Sequence, residues 1–249
     1  TGSRFVIPGQ DGRSNVDNVM FDDLDQDGRL DAIIQSDDST VTIHFGQADG
    51  TFSSPTAEAV ENGGPHVLID GQFISLRLVD LDDDNIKDLY GIWLGGATRW
   101  ARGLGNGEFA NFAMVGSVGP VNTRSNVMHF PDLNGDGVKD RLLSFQDGGF
   151  GGPNRIGHAF GVGDGTFGEM TTLDVTTKYF ALFDVNGDNR EDIVSIGEDG
   201  VGLRVAITTP DGQLGDWQVM WDEPVVRYLP YDYDGDGLMD LFIQRERED

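Results

Sequence analysis

Residues 23–31 read DLDQDGRLD, and the same spelling returns as DLDDDNIKD at 80–88, DLNGDGVKD at 132–140, DVNGDNRED at 184–192 and DYDGDGLMD at 232–240. The shared pattern is D-x-[DN]-x-D-[GN]-x-x-D. Its first aspartates stand 57, 52, 52 and 48 residues apart. A period near fifty residues suits a unit of four strands, the size of one β-propeller blade. Five copies of such a unit organise the chain.

The flanks spell strands. Four and two residues before each motif stand Val19 and Phe21, Leu76 and Leu78, Met128 and Phe130, Phe180 and Leu182, Tyr228 and Pro230. This period of two marks a strand with one buried face. Short apolar runs follow each motif: AIIQ at 32–35, LYGIWL at 89–94, RLLSF at 141–145, IVSI at 193–196 and LFIQ at 241–244. A second sub-motif comes next in four of the repeats, as HFGQADGTF (44–52), RGLGNGEF (102–109), AFGVGDGTF (159–167) and TTPDGQL (208–214). Asp-Gly or Asn-Gly there predicts a tight hairpin with a left-handed residue. Each repeat thus reads strand, acidic loop, strand, connection, strand, Gly turn, strand, and no helical periodicity of useful length occurs.

The expected fold is all-β: residues 1–249 form one domain, a five-bladed β-propeller of four-stranded blades. RSNV recurs at 13–16 and 124–127, which aligns residues 4–16 with a later repeat. Residues 4–8 are expected to give an outer strand to the blade begun by Asp232, closing the ring by pairing the two chain ends.

The acidic loop has a chemistry of its own. Motif positions 1, 3, 5 and 9 supply Asp23, Asp25, Asp27 and Asp31; Asp80, Asp82, Asp84 and Asp88; Asp132, Asn134, Asp136 and Asp140; Asp184, Asn186, Asp188 and Asp192; and Asp232, Asp234, Asp236 and Asp240. Position 6 is always Gly or Asn, the residues that best tolerate a left-handed backbone, so the chain turns sharply there. The turn gathers positions 1, 3 and 5 around one point, and position 9 returns from the next strand. Carboxylates so close repel one another unless a cation joins them. Oxygen-only donors without His or Cys favour a hard ion, and a flexible shell favours Ca²⁺ over Mg²⁺. A backbone carbonyl at position 7 (Arg29, Ile86, Val138, Arg190 and Leu238) is expected to complete each of about five structural calcium sites. An EF-hand needs a bidentate Glu at position 12, where this chain has Ile34, Gly91, Leu143, Ser195 and Ile243.

Bulk composition narrows the partners. The 249 residues carry 43 acidic against 17 basic side chains, a formal net charge of -26. Such a surface repels nucleic acid and anionic lipid, so neither is expected as a partner. No apolar stretch is long enough for a membrane helix. The absence of cysteine excludes a disulfide scaffold and thiol catalysis.

These acidic motifs, with the FG…DGTF hairpins at 45–52 and 160–167, resemble the FG-GAP/VCBS repeats of the integrin α-subunit propeller and of many secreted bacterial proteins. The likeness runs over essentially the whole chain, though familiar members have seven blades rather than five. It implies a calcium-stabilised propeller with the acidic loops and Gly turns on one face of the disc. It does not fix function, since such repeats serve adhesion modules, lectins, toxins and polysaccharide-degrading enzymes. Extracellular calcium modules bind in the 10⁻⁴–10⁻³ M range, which points to an extracellular or cell-surface home.

A protein or glycan ligand is expected on the face opposite the calcium loops. The irregular segments there are 61–72, 95–100, 119–126 and 146–155, and they contain Arg99, Trp100, Arg124, Asn154 and Arg155. An aromatic ring beside hydrogen-bonding side chains suits a sugar or peptide. The plainer reading is that Trp100 packs and the arginines pair with acids. No catalytic constellation stands out, and of the four histidines only His66 lies in a candidate ligand loop. The leading reading is a recognition or adhesion module with structural calcium. The alternatives are a lectin with sugar sites between blades, and a polysaccharide lyase or glycosidase.

Overall fold

A computed structural model describes residues 16–36, 40–53, 66–68, 73–93, 95–118, 128–146, 152–197, 201–237 and 239–245. All its regular elements are strands. The chain divides into two compact units, Thr1–Ser117 and Val118–Asp249.

The first unit holds two antiparallel meanders. One runs in order through β1 (Val16–Asp22), β2 (Asp31–Ser36), β3 (Thr40–His44) and β4 (His66–Leu68). The other runs through β5 (Phe73–Val79), β6 (Asp88–Trp93), β7 (Ala97–Ala101) and β8 (Ala113–Ser117). Leu24, Ile33, Val41 and Ile43 of the first sheet share one core with Leu76, Leu89, Trp93 and Ala101 of the second. β6 is buried along its whole length, which explains why DLYGIW is apolar without alternation.

The second unit repeats the plan. β9 (Met128–His129), β10 (Arg141–Gln146), β11 (Asn154–Ala159), β12 (Thr171–Phe183), β13 (Asp192–Gly197), β14 (Val201–Ala206) and β15 (Gln218–Pro224) form one seven-stranded antiparallel sheet. Its length comes from β12, whose 13 residues serve two repeats. Thr171, Thr172 and Thr176 pair with β11, whereas Thr177–Phe183 pair with β13. β16 (Arg227–Tyr231) and β17 (Asp240–Gln244) follow as a two-stranded sheet. Phe180 and Ile193 pack on Leu142 and Ile156, and Tyr228 packs on Phe183, Val194 and Leu203.

Four repeats therefore show the expected meander, and the fifth shows its first two strands among the described residues. The strand expected at residues 4–8 and the ring closure it would make lie outside the described residues. Each acidic loop joins the first two strands of its repeat. Each Gly turn follows the third strand and is pinned by a single bridge: Gly46 to Phe52, Gly103 to Phe109, Gly161 to Phe167 and Thr208 to Leu214. By this topology the acidic loop and the Gly turn of each of the first four repeats meet at the same end of its strands.

Candidate metal centre

Each acidic loop is shaped by two left-handed residues rather than one. Position 6 is left-handed at Gly28, Asn85, Gly137, Asn189 and Gly237, as the sequence predicts, and position 4 is too, at Gln26, Asp83, Gly135, Gly187 and Gly235. The sequence signal for position 4 is the Gly found there in three loops, which Gln26 and Asp83 mask in the other two. Alternating conformations turn successive amides inward, and in four loops they close on the first aspartate. In the fourth, Asp184 Oδ1 accepts from the amides of Gly187 (2.7 Å) and Asp188 (3.1 Å), and Oδ2 from Asn189 (2.7 Å). Asp132 is held in the same way by Gly135, Asp136 and Gly137. Asp23 accepts from Asp27 and Gly28, and Asp232 from Gly235 and Gly237.

The last aspartate ties the loop to the rest of its repeat. Asp31, Asp88, Asp140 and Asp192 are fully buried. Oδ2 of each accepts the amide of loop position 2, from Leu24, Leu81, Leu133 and Val185 at 2.8–3.0 Å. Oδ1 of each accepts an amide from the Gly turn, from Gly46, Gly103, Gly161 and Thr208 at 2.8 Å. Asp240 makes the first of these bonds, with Tyr233. This close approach explains the glycine of the FG motif. A Cβ on Gly46, Gly103 or Gly161 would lie 2.4, 2.2 and 2.2 Å from the carbonyl oxygen of Leu30, Lys87 or Lys139. Burial pushes the Asp88, Asp140 and Asp192 carboxyls above their ordinary value, opposed by the amides that bond them.

Among the described residues, three loops bring three carboxylates within 4.8 Å of one another: Asp23, Asp25 and Asp27; Asp80, Asp82 and Asp88; and Asp232, Asp234 and Asp240. In the third and fourth loops position 3 is Asn, and the Asn134 and Asn186 amides donate to Asp136 and Asp188. Three loops also carry a guanidinium. Arg29 pairs with Asp27, Arg190 with Asp188 at 2.5 Å, and Arg102, from the second Gly turn, with Asp82 and Asp84 at 2.6 and 2.7 Å. The pairs are partly exposed, so solvent screening leaves each a small contribution. At position 7 the Arg29 and Arg190 side chains thus act beside the expected carbonyl. Arg29 Nε and Arg190 Nε also donate to the hairpin carbonyls of Gly46 and Thr208. Leu238 lies outside the described residues.

The second loop is the best fit to a cation. Asp80 Oδ2 accepts the Asn85 amide, but Asp80 Oδ1 and Asp82 Oδ1 are buried without any hydrogen-bond partner. Two buried carboxylate oxygens lacking donors, close to a third carboxylate, form an arrangement that a hard oxygen-seeking ion satisfies. An oxygen-only donor set of Asp80, Asp82 and Asp88 fits Ca²⁺.

The candidate ligand residues are placed differently from the expectation of loops. Arg99 and Trp100 sit within β7, opposite Gly91 and Tyr90, and the Arg99 guanidinium lies 4.7 Å from the centre of the buried Trp93 ring. Asn154 and Arg155 begin β11 opposite Gln146 and Phe145, and both are half-buried. Arg124 lies outside the described residues. The structure brings Trp100 towards the acidic-loop end, beside Asp88, and not to the opposite end of its sheet.

Residues 23–91 match the FG-GAP-like repeat family. No curated protein matches the chain. Among solved structures the chain is similar to an Agrocybe aegerita lectin, described as recognising non-reducing terminal N-acetylglucosamine. The TM-score is 0.61 at 18% identity, over 90% of this chain and 60% of that one. It is also similar to BBS1N, solved in complex with ARL6DN, with a TM-score of 0.49 at 14% identity over 84% of this chain and 55% of that one. The chain thus spans less than two thirds of the length of either, and the likeness to the lectin is one of fold.

Proposed function

We propose that the chain is a set of five β-propeller blades serving as an extracellular recognition module, with calcium held structurally in the acidic loops and a protein or glycan as its ligand. The observation that carries the calcium reading is the pair of buried, donorless oxygens of Asp80 and Asp82. The first and fifth loops, with three clustered carboxylates each, support it. Calcium when bound supplies positive charge and oxygen coordination, and no chemical step is assigned to it. The chain's own residues preform the cradle: position 9 clips the loop to the Gly turn, and the left-handed pair aims amides at position 1. In a chain with a net charge of -26, bound cations also relieve self-repulsion.

The lectin likeness makes a glycan the first ligand class to test, with a protein partner as the alternative. Elemental analysis after dialysis, paired with melts in calcium and in chelator, tests the metal. Bound calcium and a lower melting temperature in chelator are expected. A metal-free protein whose melt ignores chelator would remove the assignment. A glycan array probed with calcium-loaded protein tests the ligand: discrete hits establish a lectin, and a blank array moves the search to proteins.

A further inference from the structure

Resting on the reading of calcium in the acidic loops, we propose that Arg102 is a tethered counter-cation of the second loop. It closes that loop without metal and competes with calcium for the same carboxylates. The place of Arg102 in its repeat is the first support. The residue just before the bridge of the Gly turn is Phe45, Phe160 and Ile207 in the first, third and fourth repeats, and only the second of these four puts a charge there. The backbone fixes that place. The next residue, Gly103, donates its amide to Asp88 Oδ1 at 2.8 Å, and a Cβ on it would lie 2.2 Å from the Lys87 carbonyl oxygen. This clip sets the start of the Arg102 side chain beside the acidic loop.

Arg102 Nε reaches Asp82 Oδ2 at 2.6 Å, and its Nη2 reaches Asp84 Oδ2 at 2.7 Å. One guanidinium thus bridges motif positions 3 and 5, whereas Arg29 and Arg190 pair with position 5 of their loops. The other Asp84 oxygen accepts the Ile86 amide at 2.8 Å. Asp84 stands outside the convergent set of Asp80, Asp82 and Asp88, although its counterpart Asp27 belongs to the set of the first loop. On the inner side, Asp80 Oδ1 and Asp82 Oδ1 are buried without a hydrogen bond. The guanidinium therefore meets the outer oxygens and leaves the inner ones unmet. A planar fork carrying one spread charge cannot take the place of a compact divalent ion inside an oxygen shell. Asp82 and Asp84 cannot give their outer oxygens to such an ion while Arg102 holds them. Arg102 is half exposed, so it can turn out to water when the exchange occurs. Binding at this loop is then weaker than its carboxylates alone would make it, and each binding event frees a guanidinium at the surface.

Arg102→Met tests the competition, since an apolar residue is what the three sister repeats carry at this place. Calcium titration calorimetry compares the full chain with this variant. The number of sites should stay the same while one of them tightens by roughly threefold to tenfold, the scale of two partly exposed ion pairs. In chelator the variant should melt below the parent, because Asp82 and Asp84 lose their counter-charge, and the gap should close or reverse in calcium. Lys87→Met removes an exposed positive charge from position 8 of the same loop and should tighten binding less. In ¹⁵N NMR spectra the arginine Nε–H signal missing from Arg102→Met identifies Arg102, and calcium should move it to the position of a solvated arginine. Equal affinity in parent and Arg102→Met, equal gains from Lys87→Met and Arg102→Met, or an unmoved signal while calcium binds overturns the proposal. Calcium binding by neither protein removes the calcium reading itself, and the competition with it. If Arg102→Met disturbs folding by circular dichroism, Arg102→Gln replaces it in the same measurements.

Discussion

The second and fourth acidic loops have the same length, the same left-handed pair and the same clip to the Gly turn, yet they neutralise their charge in different ways. In the fourth, loop amides occupy Asp184, the Asn186 amide reaches Asp188, and Arg190 pairs with Asp188 as well. Although burial raises it, these amides together hold the Asp184 carboxyl below its ordinary value. In the second, position 3 is Asp82, and two oxygens are buried without donors even though Arg102 covers the outer side. One loop is closed from within, and the other leaves two carboxylate oxygens without donors. A shared motif therefore does not guarantee equal metal dependence.

Chelation tests the whole set and carries the largest expected effect. Filled sites stabilise by about 1 kcal/mol each at millimolar calcium when binding lies in the 10⁻⁴–10⁻³ M range. At about 2–4 °C per kcal/mol for a chain of this size, removing several lowers the melting temperature by roughly 10 °C. The comparison breaks if the melt is unmoved.

The Gly turns behind the two loops offer the next test. Gly103→Ala drives a Cβ into the Lys87 carbonyl and should destabilise by about 2–3 kcal/mol. Thr208 occupies the matching place in the fourth repeat and already carries a Cβ. Thr208→Ala loses the hydroxyl bond to the Glu191 carbonyl and a buried γ-methyl, about 1–2 kcal/mol together. Urea melts of the two variants give the ranking, and equal losses would contradict it.

Single aspartates sharpen the contrast further. Asp80→Asn should leave the chelated protein as stable as before or slightly more so, while removing one equivalent of bound calcium. Asp184→Asn should lower the chelated melt by a few degrees, because it disturbs an acceptor of four loop amides. Titration calorimetry and melts on both variants read these outcomes.

The smallest expected effect is in pH. Burial raises Asp88, Asp140 and Asp192 above their ordinary value of 3.8. The folded chain therefore holds protons that the unfolded chain has released at the same pH. The penalty for keeping these groups charged is full above the raised values and disappears below 3.8, so stability rises as pH falls through that window. In chelator the melting temperature should rise slightly as pH falls from neutral through the raised values. In calcium it should fall instead, as protons compete with the ion. Melts at a series of pH values in both buffers check the sign.

Much of this arrangement is legible in the sequence because it rests on local rules. Alternation before each motif placed β1, β5, β12 and β16, and Asp-Gly or Asn-Gly marked the turns at Gly50, Gly107, Gly165 and Gly212, all left-handed. What escaped reading depends on partners distant in the chain. Arg102 reaches Asp82 and Asp84 from a different hairpin, and no spacing rule announces that pairing. Arg99 and Trp100 follow a Gly-Gly pair and so resemble a loop, but β6 recruits them into β7. The double duty of Asp31, Asp88, Asp140 and Asp192 is equally hidden, because one of their two donors lies fifteen or more residues away.

The continuity of β12 has a mechanical consequence. Its ladder passes from one repeat to the next between Thr176 and Thr177 without a loop. No loop separates the two repeats at that seam, although the register shifts on both sides of it, between Arg155 and Gly157 and between Thr177 and Tyr179. The third and fourth repeats should therefore give way together, as a single step in a force trace and a single protected block in hydrogen exchange.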